Sequence, residues 1–281
     1  MKLISIPEIR KFLKESENPL FIFDNDGDGL CSYALLYNYI GRGKPFITTG
    51  GNLEDSNIID KVNDYSPDAI FILDVPVISQ KFIDSLKCKR IVWIDHHPPI
   101  DLKGVNYYNP LVKKPNDYKP TSEICYGITR GKKWIGGLGI IHDYKVPNFI
   151  GDLKKDYKDL FGNAKMIDDI LFNSQFGELV RIVGYNLKGK WKEVKRFIET
   201  FPSIESPYEN LPCHARCYEQ RDSGAYSPLA HDFVHEEHKQ RAERELHNQE
   251  NEHACVRACR LYCAERHESK CLEDRKEYHQ Q

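Results

Sequence analysis

Six aspartates and three histidines in this chain stand where an apolar run has just ended. Leu20-Phe21-Ile22-Phe23 runs into Asp24-Asn25-Asp26-Gly27-Asp28-Gly29. Ala69-Ile70-Phe71-Ile72-Leu73 runs into Asp74. Ile91-Val92-Trp93-Ile94 runs into Asp95-His96-His97-Pro98, and a Gly-dotted apolar segment from Trp134 runs into His142-Asp143-Tyr144. Carboxylates at alternate positions repel one another, and burying them unpaired is costly. A divalent cation resolves that repulsion. The plain alternative for a lone Asp after a strand is a turn former or helix N-cap. For a lone His-His it is a surface pair or a satisfied core pair. The set outweighs its members, because one fold logic brings them together.

That logic lies in the elements between them. Leu20–Phe23, Ala69–Leu73 and Arg90–Ile94 have the length and flanks of buried strands. Leu30, Cys31, Ala34, Leu35 and Ile40 fit one helical face after Gly29, with Gly41 as a stop. Pro45–Thr49 reads as a short strand, Glu54–Tyr65 as a helix and Ile78–Leu86 as a short amphipathic helix. Val105–Tyr108 reads as a strand. Thr121–Thr129 reads as a helix with Thr121 or Ser122 as N-cap. Apolar strands alternating with helices predict an α/β fold, a parallel β-sheet with helices on both faces. In such sheets ligands bind at the carboxyl ends of the strands. Residues 149–200 read as four helical stretches.

With 281 residues the chain holds one large or two modest domains, and its net charge of −2 says little about partners. Ser5-Ile6-Pro7-Glu8 reads as a capping box with Pro in the first turn, not as a leader. No run approaches the roughly 18 apolar residues of a membrane span. A soluble, cytoplasmic protein is expected.

The residues quoted above resemble the four motifs of the DHH phosphoesterases: Asp24–Gly29, Leu73-Asp74, Asp95-His96-His97-Pro98, and the segment ending His142-Asp143-Tyr144. Archaeal RecJ-like proteins are the nearest likeness. The resemblance covers roughly residues 18–150 and the helices up to 205. It implies a DHH domain over 1–150, a helical extension over 151–205, and two Mn²⁺ or Mg²⁺ ions. Carboxylates with one imidazole suit those ions, and a pair of them about 3.5–4 Å apart can clamp an in-line displacement at phosphorus. By resemblance, Asp26 and Asp28 each bind one metal, Asp74 bridges, and His96 and Asp143 complete the second. Asp24 is a further first-metal ligand. His97 faces the phosphate, and Asp95 fixes an imidazole tautomer. His142 is read as structural. The family's second domain carries a glycine-rich substrate-binding motif; no such Gly cluster follows Gly139.

Lys113, Lys114, Lys119, Arg130, Lys132 and Lys133 lie between the third and fourth motifs. They either track a nucleic-acid backbone or line solvated loops. His97, Lys113, Lys114 and Arg130 are the candidate substrate contacts, with Tyr107 and Tyr108 as candidates for base stacking.

Composition breaks near residue 205. Residues 1–205 hold 23 Lys and 6 Arg, and residues 206–281 hold 3 Lys and 8 Arg. The later segment has 8 of 11 His and 6 of 9 Cys, and no Ile. It contains eight Leu, Ile, Val and Phe in 76 residues, well under the roughly 20% of globular chains. Cys213, Cys217, Cys255, Cys259, Cys263 and Cys271 fit three readings: a disulfide-stapled helical pair, a Zn²⁺ site, or a segment foreign to the enzyme. The compositional break favours the third.

The expected activity is two-metal phosphodiester hydrolysis in single-stranded DNA, RNA or short oligonucleotides, with a replication or repair protein as a further partner. The rivals are a phosphohydrolase of pyrophosphate or a cyclic dinucleotide, and a non-catalytic RecJ-like replication scaffold.

Overall fold

The structure is a computed structural model that describes residues 1–49 and 53–209. The Cys/His-rich stretch from residue 210 onward, with its cysteine and zinc readings, lies outside the described residues.

The described residues form β1 (Lys2–Leu3), α1 (Ile6–Glu15), β2 (Pro19–Asp24), α2 (Gly27–Ile40), β3 (Lys44–Thr48), α3 (Ser56–Asp64), β4 (Ala69–Leu73), α4 (Gln80–Ser85), β5 (Ile91–Ile94) and β6 (Asn106–Tyr108). They continue with α5 (Thr121–Thr129), α6 (Lys133–His142), α7 (Ile150–Asp156), α8 (Lys158–Phe161), α9 (Ile167–Asn173), α10 (Gln175–Leu187) and α11 (Trp191–Thr200). Single 3-10 turns lie at Pro110–Val112 and Phe201–Ser203.

The strands pair parallel throughout, in the order β1-β6-β5-β4-β2-β3. The chain leaves β2 for β3 on one side and returns to β4 on the other. The crevice between the ends of β2 and β4 is therefore the switch point, where ligands bind in open α/β sheets. Residues of β2 face alternately up and down. Leu20 and Ile22 join Ile70, Ile72, Ile91 and Trp93 in one buried layer with Val62 of α3 and Phe82 and Ile83 of α4. Phe21 and Phe23 face the other way and meet Tyr33 of α2, with Phe23 and Tyr33 stacked at 5.0 Å. Helices thus cover both faces.

The capping box at Ser5 is present: the Glu8 carboxylate accepts both the Ser5 N–H and its hydroxyl at 2.8 Å. Gly41 ends α2 in the left-handed conformation at φ 69°. One segment left unassigned by the sequence is placed, and one expectation changes. The Gly-dotted segment is a helix, α6, buried along its length. Its glycines permit close helix packing: a Cβ on Gly139 would lie 2.6 Å from Ser122 Oγ and 2.8 Å from Cys31 Cβ. And α2 starts earlier than expected, because Asp26 Oδ1 caps it by accepting the Gly29 N–H at 2.8 Å. Gly27 and Asp28 are therefore helical and buried.

The chain up to residue 209 stays tied to the domain. Lys132 Nζ donates to the carbonyls of Pro202 and Ile204, and Trp134 Nε1 donates to Glu205 O. The Tyr208 hydroxyl bonds Asp159. No described helix is long and apolar enough to cross a membrane.

Candidate metal centre

β2, β4 and β5 deliver their carboxylates to the same sheet edge because they are adjacent and in register there. Leu73 pairs with Phe23 on one side and with Ile94 on the other. Each chain then turns out of the sheet at once. Asp74 does so at φ 59°, a left-handed conformation that an Asp adopts at some cost. Tyr144, next to Asp143, is likewise left-handed at φ 54°. Gly27 is needed where α2 passes under α6: a Cβ there would lie 2.5 Å from the His142 ring.

Two sets of ligand atoms converge. Asp74, His96 and His97 lie within 4.8 Å of one another, and so do Asp28, His96 and Asp143. His96 is common to both. Its Nε2 lies 3.1 Å from Asp74 Oδ1 and 4.0 Å from Asp28 Oδ2, while its Nδ1 lies 3.8 Å from Asp143 Oδ2. Asp143 reaches the edge from the C-terminal end of α6, not from a strand.

Asp28 is buried, and its carboxylate accepts two backbone N–H groups, Thr121 at 2.7 Å and Ser122 at 2.9 Å. This corrects the expectation that Thr121 or Ser122 would cap α5. Pro120 occupies the cap position and has no side-chain acceptor, so Asp28 supplies one from α2. Thr121 instead turns its hydroxyl to Asp74 Oδ1 at 3.1 Å.

Asp95 is fully buried and grips His97 twice, through Nδ1 at 2.8 Å and the backbone N–H at 3.0 Å. Asn109 holds the His97 carbonyl at 2.8 Å. Asp26 is half-buried at the cap of α2. Asp24 ends β2, and its carbonyl accepts the Asp26 N–H at 2.9 Å. Asp24 and Asp26 belong to neither converging set.

The electrostatics show what the set lacks. Burial, then the Asp26 charge, pushes Asp28 up to about 7. Burial and the neighbouring carboxylates raise Asp74 and Asp143 well above the usual range. Burial, with His97 and Lys145, pushes His96 down to about 3, so it is neutral. For His97, burial opposes the charge, but Asp95, Asp26 and Asp28 outweigh it and raise its pKa. His96 Nδ1 is buried with no hydrogen-bond partner among the described residues. A neutral imidazole with an unsatisfied ring nitrogen, facing carboxylates that oppose one another's charge, fits a hard divalent cation.

Sequence reasoning missed three residues here. The Tyr118 hydroxyl bonds Asp143 Oδ2, and its ring lies 5.1 Å from the His96 ring. Lys145 Nζ holds the Tyr118 carbonyl and Glu123 Oε2, both at 2.7 Å. Lys188 Nζ donates to Asn25 O at 2.7 Å. No local pattern marks them, because each acts across distant chain.

The basic candidates are exposed or hold other partners. Lys113 and Lys114 are exposed beyond the Pro110–Val112 turn. Arg130 caps the end of α5 opposite Asp28, a helix length of about 13 Å away. Lys119 pairs with Asp117 at 2.9 Å, and Lys133 with Asp156 at 2.7 Å. Tyr107 is no stacking platform: it is fully buried, 4.5 Å from Trp93, with its hydroxyl on Asn109. Tyr108 is half-buried.

A doubly wound parallel sheet with carboxylates and imidazoles collected at its switch point defines the class: an α/β domain with a candidate metal centre at the strand ends. Residues 20–150 match the DHH family, N-terminal domain. Residues 20–150 are thus a DHH-family N-terminal domain. A search of the curated proteins found no match. Among solved structures, the chain is similar to an exonuclease RecJ bound to manganese, at 14% identity and TM-score 0.47, over 79% of this chain and 68% of that one. It is similar to RecJ in complex with Mn²⁺ from Thermus thermophilus, at 12% identity and TM-score 0.47, over 78% of this chain and 38% of that one. It is also similar to the DHH domain of a protein described as a member of a family of ribosomal proteins, at 14% identity and TM-score 0.47, over 78% of this chain and 60% of that one.

Proposed function

We propose that this protein is a phosphodiesterase that uses two Mn²⁺ or Mg²⁺ ions to hydrolyse single-stranded nucleic acid or short oligonucleotides. The observation that carries this reading is the convergence on His96 of two ligand sets, Asp74 with His97 and Asp28 with Asp143. Asp26, Asp28, Asp74, His96 and Asp143 would hold the ions, with Asp24 as a further ligand at the end of β2. Bound there, the ions supply Lewis-acid stabilisation of charge at phosphorus and lower the pKa of water.

The chain's own groups do the rest. Asp95 accepts His97 Nδ1–H and fixes the ring. Its charge favours the imidazolium, whose Nε2–H then donates to a phosphoryl oxygen. Thr121 Oγ1 orients Asp74, and the Tyr118 hydroxyl orients Asp143. Such a substrate is met in the cytoplasm, beside replication or repair proteins, where we place this one.

The test offers the full chain labelled DNA and RNA oligonucleotides, pyrophosphate and cyclic dinucleotides with Mn²⁺. Cleavage of the oligonucleotides, abolished by chelation, is the expected result. Turnover of pyrophosphate or a cyclic dinucleotide alone would replace the substrate class. Full turnover in excess chelator would remove the two-metal reading.

A further inference from the structure

The junction of α10 and α11 reads Lys188-Gly189-Lys190-Trp191-Lys192-Glu193-Val194-Lys195-Arg196, five cations against one carboxylate. Val194, Phe197 and Ile198 bury the apolar face of α11 against the domain. Lys190, Lys192, Lys195 and Arg196 are exposed. Among them Trp191 is 65% exposed. The remaining tryptophans, Trp93 and Trp134, are both buried at 1%. An indole left in water forgoes much of the burial that aromatic side chains contribute to stability. Trp191 and Lys195 stand four residues apart, as do Lys192 and Arg196, so the ring and its cations share one side of the helix. At the first turn, Lys190 offers no side-chain acceptor for the N–H groups of α11. The same first turn carries Glu193, and Lys195 Nζ lies 3.9 Å from Glu199, so the surplus of cations rests on Lys190, Lys192 and Arg196.

One contact ties the α10–α11 junction to the segment that enters α2. Lys188 Nζ bonds the carbonyl of Asn25, the residue before Asp26. Trp191 follows three residues after Lys188, at most about 11 Å of chain from the Lys188 backbone.

We infer that the exposed face of Lys188–Arg196 is a docking surface for single-stranded nucleic acid, with a base stacked on Trp191 and phosphates on Lys190, Lys192 and Arg196. The inference deepens the proposed function and rests on it for the direction in which the strand runs, toward Asp26. Cations that track a backbone and an aromatic face that accepts any base are the two parts of a sequence-tolerant single-strand site. A membrane surface suits the same residues less well. It needs a continuous apolar face, and that of α11 is already buried in the domain.

The experiment measures binding of fluorescein-labelled oligo(dT) of about 12 nucleotides to the full chain in chelator, where no hydrolysis intervenes. Trp191→Ala is expected to weaken binding about tenfold, and Trp191→Phe to restore most of it. Lys192→Glu with Arg196→Glu should weaken binding further and flatten its salt dependence. Thermal melts should match the wild type, since all three side chains are exposed. Equal affinity of Trp191→Ala and the wild type, or equal competition by anionic lipid vesicles, overturns the surface. The catalytic reading fails separately, if the wild type with Mn²⁺ hydrolyses neither oligonucleotides nor bis(p-nitrophenyl) phosphate. Trp191-dependent binding would then still support the surface.

Discussion

The Asp28 carboxylate in the first turn of α2 accepts the backbone N–H of Thr121 at 2.7 Å, across 93 residues of chain. The same carboxylate holds the Ser122 N–H, so one side chain starts α5 and also joins the candidate metal centre. Asp28→Ala leaves two buried N–H groups without acceptors, at about 1–3 kcal/mol each. Asp28→Asn loses the charge and one acceptor but keeps the other, so one of the two N–H groups stays bonded. Both variants should lose Mn²⁺ binding by calorimetry. In chelator, Asp28→Ala should unfold at clearly lower urea than Asp28→Asn. Equal midpoints would show that the cap contributes nothing.

Asp74 combines a buried charge with a left-handed backbone. Asp74→Ala should reduce phosphodiesterase activity at least a thousandfold while the protein stays folded. In chelator its stability should match or exceed that of the wild type, because one of several opposed carboxylates is gone. Asp74→Gly should be more stable than Asp74→Ala by about 1 kcal/mol, since glycine adopts φ 59° without strain. Near-wild-type turnover in Asp74→Ala would reduce Asp74 to an ordinary strand-end residue.

The raised carboxylates make ion-free stability depend on pH. Asp28, at about 7 when folded, binds its proton more tightly than the unfolded chain does. Asp74 and Asp143 shift the same way. Their contribution is full below the unfolded value near 4 and is lost as pH rises through the folded values. His96, pushed down to about 3, acts oppositely below pH 6.5, but three carboxylates outweigh one imidazole. Melting temperature in chelator should therefore fall between about pH 4 and pH 7, with a slope of about 1.4 kcal/mol per unit for each excess proton. Saturating Mn²⁺ at pH 7 should reverse the fall. A chelated protein that grew more stable over that range would refute the unpaired cluster.

The boundary near residue 206 is tested by shortening the chain. We expect a protein ending at Glu209 to keep its fold and its Mn²⁺ affinity, with a melting point within a few degrees. Lys132, Trp134 and Asp159 anchor residues 202–208, so the cut falls after those contacts. The six Cys and eight His beyond the break would then be dispensable for the centre. Aggregation or loss of ions on truncation would make the later segment an integral part of the enzyme.

β2, β4 and β5 were legible in the sequence because each is built on a short apolar run that stops at an aspartate. From that alone Asp24, Asp26, Asp28, Asp74, Asp95, His96 and His97 could be assigned to one sheet edge. Asp143 could be found but not placed, since an apolar run broken by glycines reads equally as strand or helix. Only packing against Ser122, Cys31 and Leu153 selects the helix. Tertiary structure alone decided that Asp28 caps α5, that Tyr118 bonds Asp143, that Lys188 reaches Asn25, and that Tyr107 is buried while Trp191 is not. Periodicity reports which face of an element is apolar. It does not report which distant backbone group a side chain will meet, because that depends on how the elements pack.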